Sequence, residues 1–175
     1  MTCLNLGLNP NRIAVGRRRG LMEIKFARSE SVAEAIIGRL QEASNSIDGA
    51  LYRFNHPGLA QAMEDVAKRG VRIRLLVDGN KYKESRTTQE LLSGDTIPFR
   101  LAFGRQGRGS KMHHKFVILD QQTVLTGSYN WTYESEDENQ ENLLILQDTY
   151  SVEAYTREFK ALWAGAARND SNDSR

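Results

Sequence analysis

Short apolar segments alternate along this chain with segments of helical periodicity, and this alternation limits the possible folds more than any other feature. Seven segments have the length and composition of strands, and one of them is β-branched and apolar enough to lie in the middle of a sheet. The strands are expected at 21–26, 47–54, 71–77, 97–103, 113–119, 123–128 and 141–147. The pattern predicts an α/β fold with a mixed sheet of seven to eight strands and helices on both faces.

The expected helices carry recognisable boundary signals. Ser31 and Glu34 form a capping box in front of an apolar stripe. A second helix opens near Pro57 and stops at Gly70. A turn is expected at 78–79, since Asp-Gly is a common turn sequence. The remaining helical segments are 88–92 and 152–163.

Basic residues are concentrated in two segments, 1–22 and 96–119, that contain no acidic residue, although the net charge is only +2. Such a concentration attracts polyanions by neutralising phosphates and releasing counterions. A solvated basic face fits the same pattern equally well. The expected organisation is a loosely ordered basic arm at 1–20, one domain at 21–165 and a polar tail at 166–175.

Candidate catalytic side chains lie on two neighbouring predicted strands. Because side chains alternate along a strand, His113 and Lys115 point the same way. Ser128 and Asn130 are also two residues apart, just after Gly127, whose missing side chain allows a ligand to approach. If the two strands pair, these groups can bind a phosphate, and His113 can act as a nucleophile or proton donor.

The segment HHKFVILD at 113–120, followed after six residues by GSYN at 127–130, resembles the HxKxxxxD and GSxN motifs of the phospholipase D superfamily. It looks closest to single-motif members, the bacterial Nuc-type endonucleases and the mitochondrial cardiolipin hydrolase (Zucchini) group. The resemblance covers roughly residues 21–163. It implies a phospholipase D-like fold, with 21–165 as a catalytic domain, and phosphodiesterase chemistry.

The resemblance also assigns roles to individual residues. It implies that His113 is the nucleophile that forms a phosphohistidine and that Lys115 and Asn130 hold the phosphate oxygens. Ser128 would support the site. Glu141 is the best match to a family glutamate that hydrogen-bonds the nucleophilic histidine and fixes its tautomer.

Two further motif residues are expected to be structural. Asp120 has the opposite parity to His113 and sits at the strand end, so it is expected to tie the turn. His114 faces the apolar side and is expected to pack in the core. No metal and no other cofactor are expected, because a lysine and polar donors can stabilise a phosphoryl centre without an ion.

A single motif supplies only one histidine, whereas transfer through a phosphohistidine needs a second group to protonate the leaving oxygen. In relatives with two motifs, a second histidine does this. His56 lacks the motif context, so a homodimer with two copies of His113 at its two-fold interface is expected.

The motif names a reaction and leaves the substrate open. A metal-independent endonuclease acting on DNA or RNA, with little sequence specificity, is the leading hypothesis, with Arg105, Arg108 and Lys111 binding backbone phosphates. No stable membrane association is expected, because no apolar run is long enough to span a bilayer. The alternatives are a cardiolipin-type lipid hydrolase, and a nucleic-acid-binding module or a subunit of a larger restriction or helicase assembly.

The expected compartment is the cytoplasm, because no export signal is visible and the single cysteine, Cys3, cannot form an intrachain disulfide. The periplasm is the alternative if a leader peptide has been removed.

Overall fold

A mixed sheet of eight strands forms the centre of the protein over residues 22–168, the part of the chain that the computed structural model describes. The strands are β1 (Met22–Phe26), β2 (Ser46–Leu51), β3 (Arg72–Asp78), β4 (Phe99–Ala102), β5 (Lys115–Leu119), β6 (Thr123–Gly127), β7 (Asn142–Leu146) and β8 (Ala167–Arg168). Their order across the sheet is β1-β7-β6-β5-β2-β3-β4-β8. Strands β2, β3 and β4 are parallel to one another, and all other pairs are antiparallel. The predicted α/β class with a mixed sheet is confirmed.

Helices cover both faces of this sheet, as predicted. They are α1 (Val32–Glu42), α2 (Pro57–Lys68), α3 (Gly79–Glu84), α4 (Arg86–Leu91), α5 (Tyr133–Asp137) and α6 (Thr149–Gly165). Helices α1 and α2 bury Ile36, Leu40 and Met63 against one face. Helix α6 buries Val152 and Phe159 against the other. Burying each large apolar side chain contributes about 1.5–3 kcal/mol, so the two layers hold the sheet from both sides.

The strand directions bring the predicted motif residues to one edge of the sheet. Strand β5 runs antiparallel to β2, so Lys115 at its start pairs with Leu51 at the end of β2. Strand β6 runs antiparallel to β5, so it ends at Gly127 on the same side. Strand β7 begins there too, with Leu143 paired to Gly127. We call this edge, where β2 and β6 end and β5 and β7 begin, the site edge.

The structure corrects the prediction for residues 78–92. The expected turn at 78–79 is the beginning of α3, because the Asp78 carboxylate accepts hydrogen bonds from the backbone N–H groups of Asn80 (3.1 Å) and Lys81 (2.9 Å). Aspartate is a common helix N-cap as well as a turn residue, so the sequence signal was ambiguous. Sequence reasoning also missed the short helix α5 and the short strand β8.

Both predicted tails lie largely outside the described residues. The arm at 1–20 falls wholly outside them, and the tail is described only as far as Arg168. At that point the chain is still paired, because Leu101 and Arg100 of β4 face Ala167 and Arg168 of β8 in antiparallel register.

Candidate active site

His113 and Lys115 lie together at the site edge. The predicted strand begins two residues late, at Lys115, so His113 precedes it. The backbone N–H of Tyr52 donates to the carbonyl of His114 (2.8 Å), which continues the pairing of β2 with this segment. The Lys115 ammonium lies 3.4 Å from Nδ1 and 3.5 Å from Nε2 of His113 and donates to the His113 carbonyl oxygen (3.0 Å). The predicted proximity of these two side chains is present.

The ring of Tyr52 supports the His113 imidazole from the side. The two ring centroids are 4.3 Å apart, and the rings are tilted by 55°. Tyr52 is buried, and the ammonium of Lys115 lies 5.0 Å from the centre of its ring. Sequence reasoning missed this residue. Its position opposite the motif depends on the register of β2 against β5, and a single sequence gives no signal for that register.

The surroundings of His113 favour the neutral form of its imidazole by lowering its pKa. Burial lowers the pKa of His113, and the positive charges of Lys115 and Lys111 lower it further. A neutral imidazole has a free nitrogen lone pair, which nucleophilic attack requires. Burial also lowers the pKa of Lys115, while the negative charge of Glu141 acts in the opposite direction.

Ser128, Ser135 and Glu141 form a second cluster at the site edge. The Ser128 hydroxyl donates to one carboxylate oxygen of Glu141, and Ser135 donates to the other (3.2 Å). The backbone N–H of Asn142 donates to the Ser128 hydroxyl oxygen (3.1 Å). The structure shows no hydrogen bond between Glu141 and His113, the contact that the resemblance implies. The carboxylate is instead engaged with the two serines.

Gly127 has a structural reason to be glycine. A Cβ atom at this position would lie 2.1 Å from the carbonyl oxygen of Asn142 on β7. The close approach at Gly127 is therefore made by the neighbouring strand β7. This approach allows the backbone N–H of Ser128 to donate to the same carbonyl (3.2 Å).

Asn130 lies two residues beyond Ser128, on a segment attached to the end of β2. The next residue, Trp131, forms a parallel bridge with Phe54, and the Asn130 backbone N–H donates to Ser135 (3.2 Å). Its side-chain oxygen is buried and has no hydrogen-bond partner within residues 22–168. This oxygen is an acceptor, so only the side-chain NH2 group of Asn130 can donate to a phosphate oxygen.

Asp120 is placed at the far end of β5 from His113. Its carboxylate accepts backbone N–H bonds from Ser44 (2.9 Å), Asn45 (2.7 Å) and Ser46 (2.8 Å). Burial alone would raise the pKa of Asp120, but these hydrogen bonds outweigh it and the pKa lies below its ordinary value. Asp120 therefore ties the turn after β5 to the start of β2, which agrees with the structural role predicted for it.

The prediction for His114 is wrong. Its side chain is exposed and lies 3.3 Å from the carboxylate of Glu158 on α6. The face of β5 to which Phe116 belongs is apolar. His114 comes before the first residue of the strand, and its neighbour there is Glu158 of α6. His56 is also accounted for, because its Nδ1 accepts from the backbone N–H of Leu59 (3.3 Å) and caps α2.

The loop between β4 and β5 places only part of its predicted basic set near the site. Lys111 lies 6.0 Å from the centre of the Tyr52 ring, and Arg108 lies over the ring of Phe103 at 5.5 Å. Both line a cavity of about 310 Å³ beside α3. Arg105 is exposed on the loop and does not line that cavity.

Within residues 22–168, no group of three or more histidine, cysteine or carboxylate side chains is placed to hold a metal ion. The side chains at the site edge offer one imidazole, one ammonium, two hydroxyls, one carboxylate and one amide.

Residues 36–163 match the family model described as cardiolipin synthase, PLD-like domain. The chain belongs to the phospholipase D superfamily. The expected superfamily and its fold are confirmed by this match, and the expectation of a hydrolase agrees with the names of the relatives.

Among those relatives, the mitochondrial cardiolipin hydrolase of Xenopus laevis is 35% identical over 135 residues, which are 77% of this chain and 62% of the relative. The chain thus spans about three fifths of the length of that relative. Two solved structures share the fold at 22% identity. The phospholipase D family member Nuc from Salmonella typhimurium has a TM-score of 0.76, covering 84% of this chain and 96% of Nuc. NucT from Helicobacter pylori has a TM-score of 0.74, covering 84% of this chain and 99% of NucT.

Proposed function

We propose that this chain is a phosphodiesterase that cleaves nucleic-acid strands through a covalent intermediate on His113. The observation that carries the proposal is the pairing of a neutral His113 imidazole with the Lys115 ammonium at 3.4 Å, inside the superfamily motif. A ring nitrogen of His113 attacks phosphorus, a phosphohistidine forms and the bond from phosphorus to the leaving oxygen breaks. Water then attacks the phosphohistidine, which releases the phosphate ester and regenerates the imidazole.

The other polar groups at the site edge fit the stabilisation of this phosphoryl centre. Lys115 supplies a positive charge that can stabilise developing negative charge on the phosphate oxygens, and the side-chain NH2 group of Asn130 can donate to the same oxygens. The negative charge of Glu141 opposes the lowering of the Lys115 pKa by burial, and its carboxylate fixes the orientation of the Ser128 hydroxyl. We assign Glu141 to positioning Ser128.

A homodimer would supply the second histidine. One described chain places a single histidine in the site, so the proton for the leaving oxygen has to come from elsewhere. The sheet face that carries α6 is open over β1, where Met22, Ile24 and Phe26 expose about half of their surfaces. Phe26 pairs with Asn142, next to the site edge. We propose that a second copy covers this apolar face and brings its own His113 to the site.

Nucleic acid is the substrate that the charge around the site favours. Lys81, Lys83, Arg108 and Lys111 line the cavity beside α3, and the Lys111 charge reaches His113. Such an arrangement binds successive phosphates of a strand without reading the bases.

Cardiolipin hydrolysis is the second candidate, and the names of the relatives favour it. In the described part of the chain, no helix has the length and apolar character needed to cross a bilayer.

The test uses purified protein and its His113→Ala variant with plasmid DNA, single-stranded DNA, RNA and cardiolipin vesicles, each with and without EDTA. We expect EDTA-resistant cleavage of nucleic acid by the native protein. We expect no turnover by His113→Ala, with the same oligomeric state by light scattering. Cleavage of cardiolipin alone would establish the second candidate, and substantial activity of a clean His113→Ala preparation would refute the role of His113.

A further inference from the structure

A cavity of about 350 Å³ opens next to the site edge, where β2 and β3 end. Tyr52 forms part of its wall, and the same Tyr52 ring packs against His113 at 4.3 Å. His113 and the cavity are therefore neighbours on either side of the Tyr52 ring.

Arg53 lines the cavity and is fixed there by the motif segment itself. Its carbonyl oxygen accepts a hydrogen bond from the backbone N–H of Trp131 (3.3 Å), the residue after Asn130. The following residue, Phe54, continues this contact as a parallel bridge to Trp131. The position of Arg53 is therefore tied to the position of Asn130.

The guanidinium of Arg53 is available for a ligand. Its side chain is exposed, and no carboxylate within residues 22–168 lies within 4 Å of it. Glu84 and Glu134 line the same cavity, where hydrogen bonds lower the pKa of both carboxyl groups and the charge of Arg53 lowers it further from a longer distance. The other cations in the cavity wall are already paired, because Lys81 contacts Glu84 and Arg86 contacts Glu90 (2.8 Å). The charge of Arg53 also reaches the catalytic centre, since it adds to the effect of burial in lowering the pKa of Lys115.

We propose that Arg53 binds the phosphate next to the scissile phosphate of a nucleic-acid strand, and that the cavity holds the nucleoside between the two. This inference rests on the proposed function. A guanidinium can donate two parallel hydrogen bonds to a phosphate, and such contacts fix a strand without reading its bases. Arg53 was not among the residues that the motif pointed to.

The test uses thymidine trinucleotides that contain two linkages. One substrate has two phosphodiesters, and two others have a neutral methylphosphonate in place of either the first or the second. Each modified substrate retains one cleavable bond with an uncharged neighbour. We would measure kcat/KM for the native protein, Arg53→Ala, Arg53→Lys and the matched control Arg72→Ala. Arg72 is an exposed arginine at the opposite end of β3.

The native protein is expected to lose about tenfold in kcat/KM with both modified substrates, because neither keeps a charged phosphate beside its cleavable bond, and tenfold is the usual effect of losing one charged hydrogen-bonding contact. Arg53→Ala is expected to cleave the unmodified substrate slowly and to be insensitive to the modification. Arg53→Lys is expected to recover part of the sensitivity, and Arg72→Ala to match the native protein.

Two results would overturn the inference while leaving the proposed function in place. They are native activity that does not respond to either methylphosphonate, and an Arg53→Ala variant that remains as sensitive as the native protein. A native protein that cleaves cardiolipin but no oligonucleotide would instead overturn the proposed function, and this inference with it.

Discussion

Replacing Asp120 by asparagine separates the structural part of the motif from its chemical part. The substitution keeps the shape of the side chain, and asparagine tolerates the positive φ of this residue (52°). It removes the negative charge and turns one acceptor oxygen into an amide that cannot accept. The asparagine oxygen can keep the bonds from the Asn45 and Ser46 N–H groups, which both reach Oδ1, but without the charge that strengthens them. The Ser44 N–H, which donates to Oδ2, loses its acceptor.

The cost follows from the exposure of these three donors. Ser46 is buried, with 5% of its surface exposed, so a weakened bond to its N–H costs about 1–3 kcal/mol. Ser44 and Asn45 are exposed, so water compensates for the one lost and the one weakened bond, at a cost of about 0.5 kcal/mol each. Asp120→Asn should therefore destabilise the protein by about 2–4 kcal/mol, which lowers the Tm by about 4–16 °C.

Urea denaturation of the native protein, Asp120→Asn and the exposed control Asp95→Asn measures this difference. Because the folded protein lowers the pKa of Asp120, the carboxylate stabilises the fold above the unfolded pKa of about 3.9. That stabilisation disappears as the pH falls through the lower pKa of the folded protein. The unfolding free energies of the native protein and Asp120→Asn should therefore approach each other as the pH falls below about 4.

Activity gives the outcome that would refute the reasoning. Well below its Tm, Asp120→Asn should cleave substrate at nearly the native rate, because Asp120 lies at the far end of β5 from His113. A variant with native stability and greatly reduced turnover would show that Asp120 takes part in the chemistry.

Three further predictions concern the site edge and the apolar face. Gly127→Ala should destabilise the protein by about 2 kcal/mol or more in urea, because the added Cβ would lie 2.1 Å from the Asn142 carbonyl oxygen. A stable variant would show that β7 can shift away. The acid limb of kcat/KM should lie below pH 6.5, because burial and the nearby ammonium groups lower the pKa of His113, and protonation at lower pH removes the attacking lone pair. A midpoint above 6.5 would contradict the neutral nucleophile. Ile24→Asp should abolish the dimer in sedimentation and with it the turnover, and an active monomer would exclude the shared site.

The strand and helix pattern could be predicted because it depends on local periodicity. The buried run at 71–77 became β3, and the capping box at Ser31 and Glu34 became the start of α1, with the Glu34 N–H donating to Ser31 (3.0 Å). Local signals failed where one residue type serves two purposes. Asp78 caps a helix instead of forming a turn. His114 has the strand parity of the apolar face, but its side chain lies against Glu158 instead of in the core.

The motif spacing in the sequence identified which residues make up the site, because two residues on one strand share a face regardless of the rest of the fold. That was enough to bring His113 next to Lys115 and to place Ser128 by the end of β6. The hydrogen-bond partners of the Glu141 carboxylate could not be predicted from the motif spacing. The carboxylate binds Ser128 and Ser135, a choice set by how β7 and α5 pack after the chain has folded.

The sequence by itself therefore determined the superfamily, the strand order along the chain and the candidate nucleophile, because all three depend on residues close together in the chain. Only the tertiary structure placed Tyr52 against His113, directed Arg53 into a neighbouring cavity and left the β1 face exposed. These features depend on which strands pair and in what register. That pairing brings together residues roughly 60 to 125 positions apart, and no local pattern encodes it.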